Sequence, residues 1–358
     1  MKSTPERRIE DAEGVIPVVI LNWNGEDETV ECLKSVRSSV PAGFVPVVVD
    51  NGSDPQSVAR LERACRRIYS RILFLTESEL SAFSGASRAD LSEYLGEDSL
   101  VFIQNAENMG FAKGNNVGIR FAELVGAEWV MLLNNDTVVS PGAFQALRSF
   151  LRSKPSAAAI TPQIRYFSPS TRIQNCGGDL TYLGSRRYRF ADRDASALPQ
   201  AAFSVVTFVT GCALLFKHRV TGPLTEDFFF GEEDYEFALR MKRLGLQMVC
   251  VYEAVIYHKV GTTIGRTSKP LGAILVHYVS RLINVRNYYP RVRWHLTRIA
   301  AYLYLPVLLS KSGIDPRRSI STIRRVETYL RRHRSVGPAE FQSMITWGAE
   351  APPSTGPE

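Results

Sequence analysis

With 358 residues, 45% of them hydrophobic and 22% charged, the chain is long enough for one large or two modest domains around an ordinary core. A net charge of +7 fits an anionic partner, whether a nucleotide diphosphate, a phospholipid surface or nucleic acid, without choosing among them. Five scattered cysteines (32, 65, 176, 212 and 250) with no CxxC argue against a disulfide framework or a structural zinc site, and the polar start and lack of a long apolar run predict a cytosolic protein.

In chain order, the apolar run Val15–Asn24 reads as a strand buried on both faces. "ETVECLKSVRSS" follows with helical spacing of Val30, Leu33 and Val36. "FVPVVVDNGSDP" is a second strand, and "SVARLERACRRIYSRIL" is helical throughout. "LVFIQNAENMGFAKGNNVGIRFAEL" predicts a third strand, a Gly/Asn turn and a helix, and "WVMLLNNDTVV" a fourth strand. Strand–helix alternation implies a mainly parallel sheet with helices on both faces, and ligands bind such sheets beyond the carboxyl ends of their strands. All four runs end there in polar residues: Asn22-Trp23-Asn24, Asp50-Asn51, Glu107-Asn108 and Asn134-Asn135-Asp136. Residues 76–98 read as a polar, partly helical insertion. Farther on, "SVVTFVTGCALLFKH" reads as strand, Gly turn, strand; "EEDYEFALRMKRLG" as a helix stopped by Gly245; and "QMVCVYEAVIYH" as a strand. Residues 271 to about 310 predict helix, and the tail beyond Gly337 predicts disorder.

Several of these polar positions admit two readings. Asp136 suits a turn or N-cap, or a metal ligand, since Mg2+ and Mn2+ favour carboxylate oxygen and often complete their shell with substrate phosphates. Asp50 suits an Asx turn with Gly52, or an acceptor for a ribose hydroxyl or base N–H; Trp23 suits core packing or stacking on a base. "ENMGFAKGNNVGI" is neither a dinucleotide nor a P-loop motif, yet Gly110, Gly114 and Gly118 allow close backbone approach and Lys113 can meet phosphate. In "FFFGEEDYEFALR", Glu232, Glu233 and Asp234 suit an acidic first helical turn; beside three phenylalanines, one of them can instead have a raised pKa and act as a general base. His258, before Lys259 and "GTTIG", is either structural or placed for phosphate or metal. "RVRWHLTRIAAYLYLPVLLSK" reads as a helix packed on the catalytic domain or as an interfacial one.

Together, "PVVILNWNGEDETVECLKSV", "VVVDNGSD", "ENMGFAKGNNVGI", "WVMLLNNDTVVSPGAFQAL", "QNCGGDL", "VTGCALLF", "FFFGEEDYEFALRMKRLG" and "YHKVGTTIG" resemble the inverting nucleotide-sugar glycosyltransferases of family 2, in that family's order and nearest its rhamnosyltransferase-like subgroup. The resemblance implies a GT-A (Rossmann-like) α/β catalytic domain over 15–265, its nucleotide-binding half at about 15–140 and its acceptor half at about 141–265. Around it would lie a flexible 1–14, a C-terminal helical region 266–335 and a disordered tail 336–358. It further implies that Asp50, with Asn22, Trp23 and Asn24, lines the nucleoside pocket, and that Asn108, Gly110, Lys113, Asn134 and Asn135 complete the donor site. Asp136 takes the last position of a D-x-D metal motif whose first position is Asn134, so one carboxylate is left for Mg2+ or Mn2+. His258 falls near metal or diphosphate, and Gly211 and Cys212 fall in the loop beside donor sugar and acceptor. Asp234 matches the catalytic base, with Glu233 orienting it. The implied partners are a nucleotide-diphosphate sugar and a saccharide or lipid-linked acceptor, with peripheral contact at the inner face of the cytoplasmic membrane and no nucleic acid. The rival readings are a non-catalytic nucleotide-sugar or polyanion-binding protein on the same fold, a nucleic-acid module and a nucleotidyltransferase.

Overall fold

Strand β1 (Ile16–Asn22) sends Val19 into one hydrophobic cluster and Val18 and Ile20 into another. An all-apolar run does this when both sheet faces are covered. The computed structural model describes residues 14–39, 43–83, 91, 94–153, 156–259 and 270–346. After β1 come α1 (Glu26–Ser39), β2 (Phe44–Asn51), α2 (Pro55–Ile68), β3 (Arg71–Thr76), α3 (Glu77–Ala82), β4 (Ser99–Asn105), α4 (Phe111–Leu124), β5 (Val130–Leu133), β6 (Thr137–Val139) and α5 (Ala143–Ser153). The chain continues through β7 (Ala159–Tyr166), β8 (Ile173–Asn175), β9 (Gly178–Leu180), β10 (Arg186–Tyr188), β11 (Phe203–Val206), β12 (Ala213–Phe216), α6 (His218–Thr221), α7 (Glu233–Leu244) and β13 (Met248–His258). Four longer helices close it: α8 (Pro270–Tyr288), α9 (Arg291–Lys311), α10 (Ser319–Arg332) and α11 (Pro338–Thr346).

Among the described residues the main sheet runs β11-β13-β7-β12-β5-β1-β2-β4-β3, parallel from β5 to β3, with β12 inserted antiparallel between β5 and β7. Helices α1, α2 and α5 cover one face through Leu33, Leu61 and Phe144; α4 and α7 cover the other through Phe121 and Phe237. Parallel register sets Asn22 beside Asp50, and Asn51 beside Asn105. The polar strand ends therefore share one edge, as the alternation of elements predicts.

Three expectations need correction, and a fourth, the partly helical insertion, is located. The helix read through "SRIL" ends at Ile68, and residues 71–76 form an edge strand on β4. An edge strand has one neighbour and shows a weak local signal beside the strong amphipathic pattern before it. The helix read over 271–310 is two helices, because Pro290 has no N–H to continue the first and caps the second. The insertion at 76–98 is helical over Glu77–Ala82, where Thr76 and Glu79 form a capping box; most of 84–93 lies outside the described residues. The tail expected to be disordered from 336 holds a helix over 338–346. Its Met344 is wholly buried in the C-terminal cluster, and Val336 exchanges backbone hydrogen bonds with Asp227 and Phe229. Pro and Gly composition suggested a tail, but Phe341 and Met344 give it a core to join. The N-terminus expected to be flexible, the end of the tail and the "GTTIG" loop lie outside the described residues.

Candidate active site

The polar residues at the ends of β1, β2 and β4 form a network of amides. Asp50 is fully buried and accepts from Asn22 Nδ2 at 2.8 Å, Ser53 Oγ at 2.6 Å and Ser53 N at 3.1 Å. Asn22 Oδ1 accepts from Thr29 Oγ1 at 2.8 Å. Asp50 thus sits where expected, but its hydrogen bonds hold Ser53 and Asn22 rather than facing solvent. The surface it supports is Trp23, 39% exposed, and Asn24, whose left-handed backbone (φ 49°) lets its N–H donate to Ser53 Oγ and its Oδ1 accept from Asp54 N. Asn51 uses all four side-chain positions: it donates to Asn108 Oδ1 and Gly110 O and accepts from Asn105 Nδ2 and Met109 N. Gly110 has φ 84°, and a Cβ there would lie 2.2 Å from Phe229 O, so only glycine lets the turn close on the aromatic triplet. Lys113 is exposed on the first turn of α4.

Asp136 and His258 meet because β6 pairs antiparallel with β13, with Thr137 opposite His258. His258 Nε2 lies 3.2 Å from Asp136 Oδ1, and its Nδ1 faces Gln174 Oε1 at 3.0 Å. Burial opposes charging this imidazole, but contact with Cys212 and the Asp136 carboxylate outweighs it, so its pKa rises well above the ordinary value. Asn134 donates its N–H to Cys212 O at 2.8 Å, and Asn135 Nδ2 donates to Thr29 Oγ1 at 3.1 Å. One carboxylate and one imidazole suit a divalent cation that takes its remaining ligands from substrate phosphate and water. Among the described residues no group of three His, Cys, Asp or Glu side chains is placed to hold a metal ion.

The three consecutive acids have three different surroundings. Glu232 is buried with a left-handed backbone (φ 71°) and accepts from Arg281 Nε and Nη2 at 3.0 and 2.9 Å, Arg186 Nη2 at 2.8 Å and, at 3.2 Å, His277 Nδ1. Burial would raise its pKa, but the two guanidinium groups hold it well below the carboxylate range. Glu233 opens α7, buried, with Oε2 lacking a hydrogen-bond partner; burial, then the neighbouring Asp234 and Glu232 charges, push it up to about 8. Asp234 Oδ1 meets Arg186 Nη1 at 3.3 Å, and its Oδ2 faces Gly211 N at 3.4 Å. Burial raises its pKa, while Arg186 restrains the rise.

One turn joins the two acidic centres. Gly211 touches Asp234, and Cys212 touches Asn134 through its carbonyl and His258 through its thiol. Arg186, His277, Arg281, Asn284, Ser53 and Thr29 were not singled out in the sequence. A signal for three of them exists: His277, Arg281 and Asn284 stand at i, i+4, i+7 on α8, and all three bond Glu232.

Residues 14–273 match the family described as Glycosyltransferase like family 2. The low-salt glycan biosynthesis hexosyltransferase Agl10 of Haloferax volcanii is 24% identical over 188 residues, which is 51% of this chain and 58% of that protein. Among solved structures, GalNAc-T7 with UDP, GalNAc and Mn2+ superposes with a TM-score of 0.53 at 12% identity, over 91% of this chain and 61% of that one. The mannosyltransferase PcManGT of Pyrobaculum calidifontis, in complex with GDP-Man and Mn2+, superposes with a TM-score of 0.52 at 15% identity, over 94% and 88%. At such identities the likeness shows the fold, an α/β GT-A architecture with C-terminal helices. The chain spans less than two thirds of the length of Agl10 and of GalNAc-T7.

Proposed function

The chain belongs to Glycosyltransferase like family 2, and from that premise we propose that it transfers a hexosyl group from a nucleotide-diphosphate sugar to a hydroxyl of a saccharide or lipid-linked acceptor in surface glycan assembly, with inversion. In this reading residues 15–265 are the catalytic unit, with donor binding at about 15–140 and acceptor binding at about 141–265. The nucleoside lies against Trp23 and Asn24, and the diphosphate lies toward Lys113, Asn134 and Asn135. Asp136, with His258, would hold Mg2+ or Mn2+. When bound, that ion offsets the charge growing on the leaving diphosphate. Asp234 takes the proton of the acceptor hydroxyl as that oxygen attacks the anomeric carbon opposite the leaving group, and one displacement inverts the configuration. Arg186 keeps Asp234 ionised and aimed. The enzyme works at the inner face of the cytoplasmic membrane, where a lipid-linked acceptor would be carried. Rhamnose on a dTDP carrier is the donor we put first, from the subgroup resemblance of the Asn134-Asn135-Asp136 and Glu233-Asp234 segments.

The observation that carries the reading is the single Gly211–Cys212 turn touching both the Asp234 carboxylate and the Asp136–His258 pair. The test is transfer and donor hydrolysis with dTDP-, UDP- and GDP-sugars, with and without Mn2+, for the parent and for Asp234→Asn. Donor affinity is expected to stay within a few-fold while turnover falls by about 10²–10⁴. Parental turnover in the variant refutes Asp234 as the base. Donor binding without turnover in the parent favours a non-catalytic binding protein.

A further inference from the structure

Helix α9 is apolar on two opposite sides. Its inner side is conventional: Leu305 and Leu309 are buried in the C-terminal cluster, with Ala301 and Tyr302 packed against it. Its outer side carries Val292 (73% exposed), Leu296 (46%), Ile299 (52%), Leu303 (76%) and Val307 (46%). The spacing i, i+4, i+7, i+11, i+15 keeps all five within about 80° of one face at 100° per residue. Tyr304, 48% exposed, borders the stripe. A helix packed on one side normally offers charge on the other. Here five large aliphatic side chains lie along a helix of 21 residues, about 32 Å at 1.5 Å per residue. Exposed apolar stripes of this extent mark contact with another phase or partner.

The surrounding charge selects the occupant. Residues 291–334 hold eleven Arg and Lys against two acidic side chains, a formal charge of +9, while the whole chain carries +7, so the remainder is net negative. No Asp or Glu occurs from 254 to 314. Arg291 and Lys311 stand exposed at the two ends of α9, with Arg317, Arg324 and Arg332 exposed on the segment that follows. A second copy docking through the same stripe would bring two surfaces of this charge together, an arrangement that like-charge repulsion disfavours. An anionic lipid surface instead supplies an apolar layer for the stripe and phosphates for the cations. Among the described residues no helix is long and apolar enough to cross a membrane, so the contact is one of lying on the surface.

We propose that the outer face of α9 docks the protein on an anionic phospholipid surface, with Val292, Leu296, Ile299, Leu303 and Val307 at the headgroup–acyl boundary and the exposed Arg291, Lys311, Arg317, Arg324 and Arg332 on the phosphates. Docking is measured without turnover, so its failure is distinguishable from failure of the transfer reading. The full chain is floated with vesicles of phosphatidylcholine alone and of phosphatidylcholine mixed with phosphatidylglycerol, at low and high salt. Recovery with the anionic vesicles is expected to exceed that with neutral ones by about tenfold or more and to fall at high salt. Leu296→Glu with Leu303→Glu should abolish it, and Arg317→Glu with Arg324→Glu should remove the preference for anionic lipid. Val220→Glu, at an exposed valine of α6, should leave it unchanged. Light scattering is run on each protein. Equal recovery on both vesicle types, or undiminished flotation of the Leu296/Leu303 variant, overturns the proposal. A parental dimer that this variant converts to monomer, with flotation unaltered, assigns the stripe to a second copy instead.

Discussion

The two sides of the candidate site are built from opposite materials. On the strand-end side, Asn22, Asn51, Asn105, Asn108 and Asp50 bond one another and their own turns, and one carboxylate is shared among neutral donors. On the side of α7, three consecutive acids face two arginines and a histidine, and their proton affinities diverge in both directions. A network of interlocked amides is rigid, because each bond fixes its neighbours. A buried charged cluster instead depends on every partner being present, since removing one leaves an uncompensated charge in a poor solvent. The first side suits a surface that must hold its shape. The second suits one that must handle a proton.

The contrast breaks most visibly at Glu232. Its carboxylate balances Arg186 and Arg281 at once. Glu232→Gln leaves those cations without their shared anion, and a buried pair broken on one side costs about 3–5 kcal/mol. Chemical denaturation at neutral pH measures this. Because its native pKa lies below that of the unfolded chain, the contribution of Glu232 is present above about pH 4.5 and lost as pH falls through the native value. The variant should therefore lose its disadvantage in acid. A variant as stable as the parent at pH 7 would show that the cluster is not electrostatically balanced through this residue.

Glu233 sharpens the contrast with the opposite sign. Its native pKa of about 8 lies above the ordinary 4.5, so folding favours its protonated form. That favour is complete below about pH 4.5 and is lost as pH rises toward 8, because the unfolded chain ionises first. Glu233→Gln copies the neutral carboxyl in shape. It should match the parent near pH 4.5 and exceed it at pH 8 by an amount on the order of a few kcal/mol, read as a widening gap in denaturation midpoints. A gap that fails to open, or that reverses, as pH rises would mean Glu233 is ionised in the native state.

Much of this was legible in the sequence, and unevenly so. The strand ends, the α7 helix start and the glycine stop at 245 are local patterns of period and cap, so reading along the chain finds them. Asp136 was placed by the apolar run before it, and Asp234 by the motif around it. Asp50 stands at its strand end, where the sequence alone admits both an Asx turn and an acceptor for a ligand. The parallel register that sets it against Asn22, and the turn that returns Ser53, direct it inward, and neither is local. Arg186 lies 48 residues before Asp234 on a short ribbon strand, and nothing in "SRRYRF" says which of its arginines turns inward. The helix at 338–346 was lost to composition, since Gly and Pro around it outweighed the buried Met344 and partly buried Phe341 that hold it.

Arg186 is the joint between the structural and the chemical half of the acidic cluster, because one guanidinium reaches both Glu232 and Asp234. Its loss should act on Asp234 through charge. Burial and the Glu232 carboxylate raise the proton affinity of Asp234; Arg186, the Gly211 N–H and His277 lower it. Without Arg186 the balance tilts further upward, so Asp234, in its proposed role as base, becomes ionised only at higher pH. The acid limb of the kcat/KM profile of Arg186→Gln should therefore move up by about one pH unit, costing roughly tenfold on that limb and less on the alkaline plateau. Arg186→Lys keeps a charge but not the planar fork, and should fall between the parent and the Gln variant. A uniform loss across the whole profile, with no movement of the limb, would assign Arg186 to packing beneath Asp234 and leave the proton affinity of that carboxylate to burial and its other neighbours.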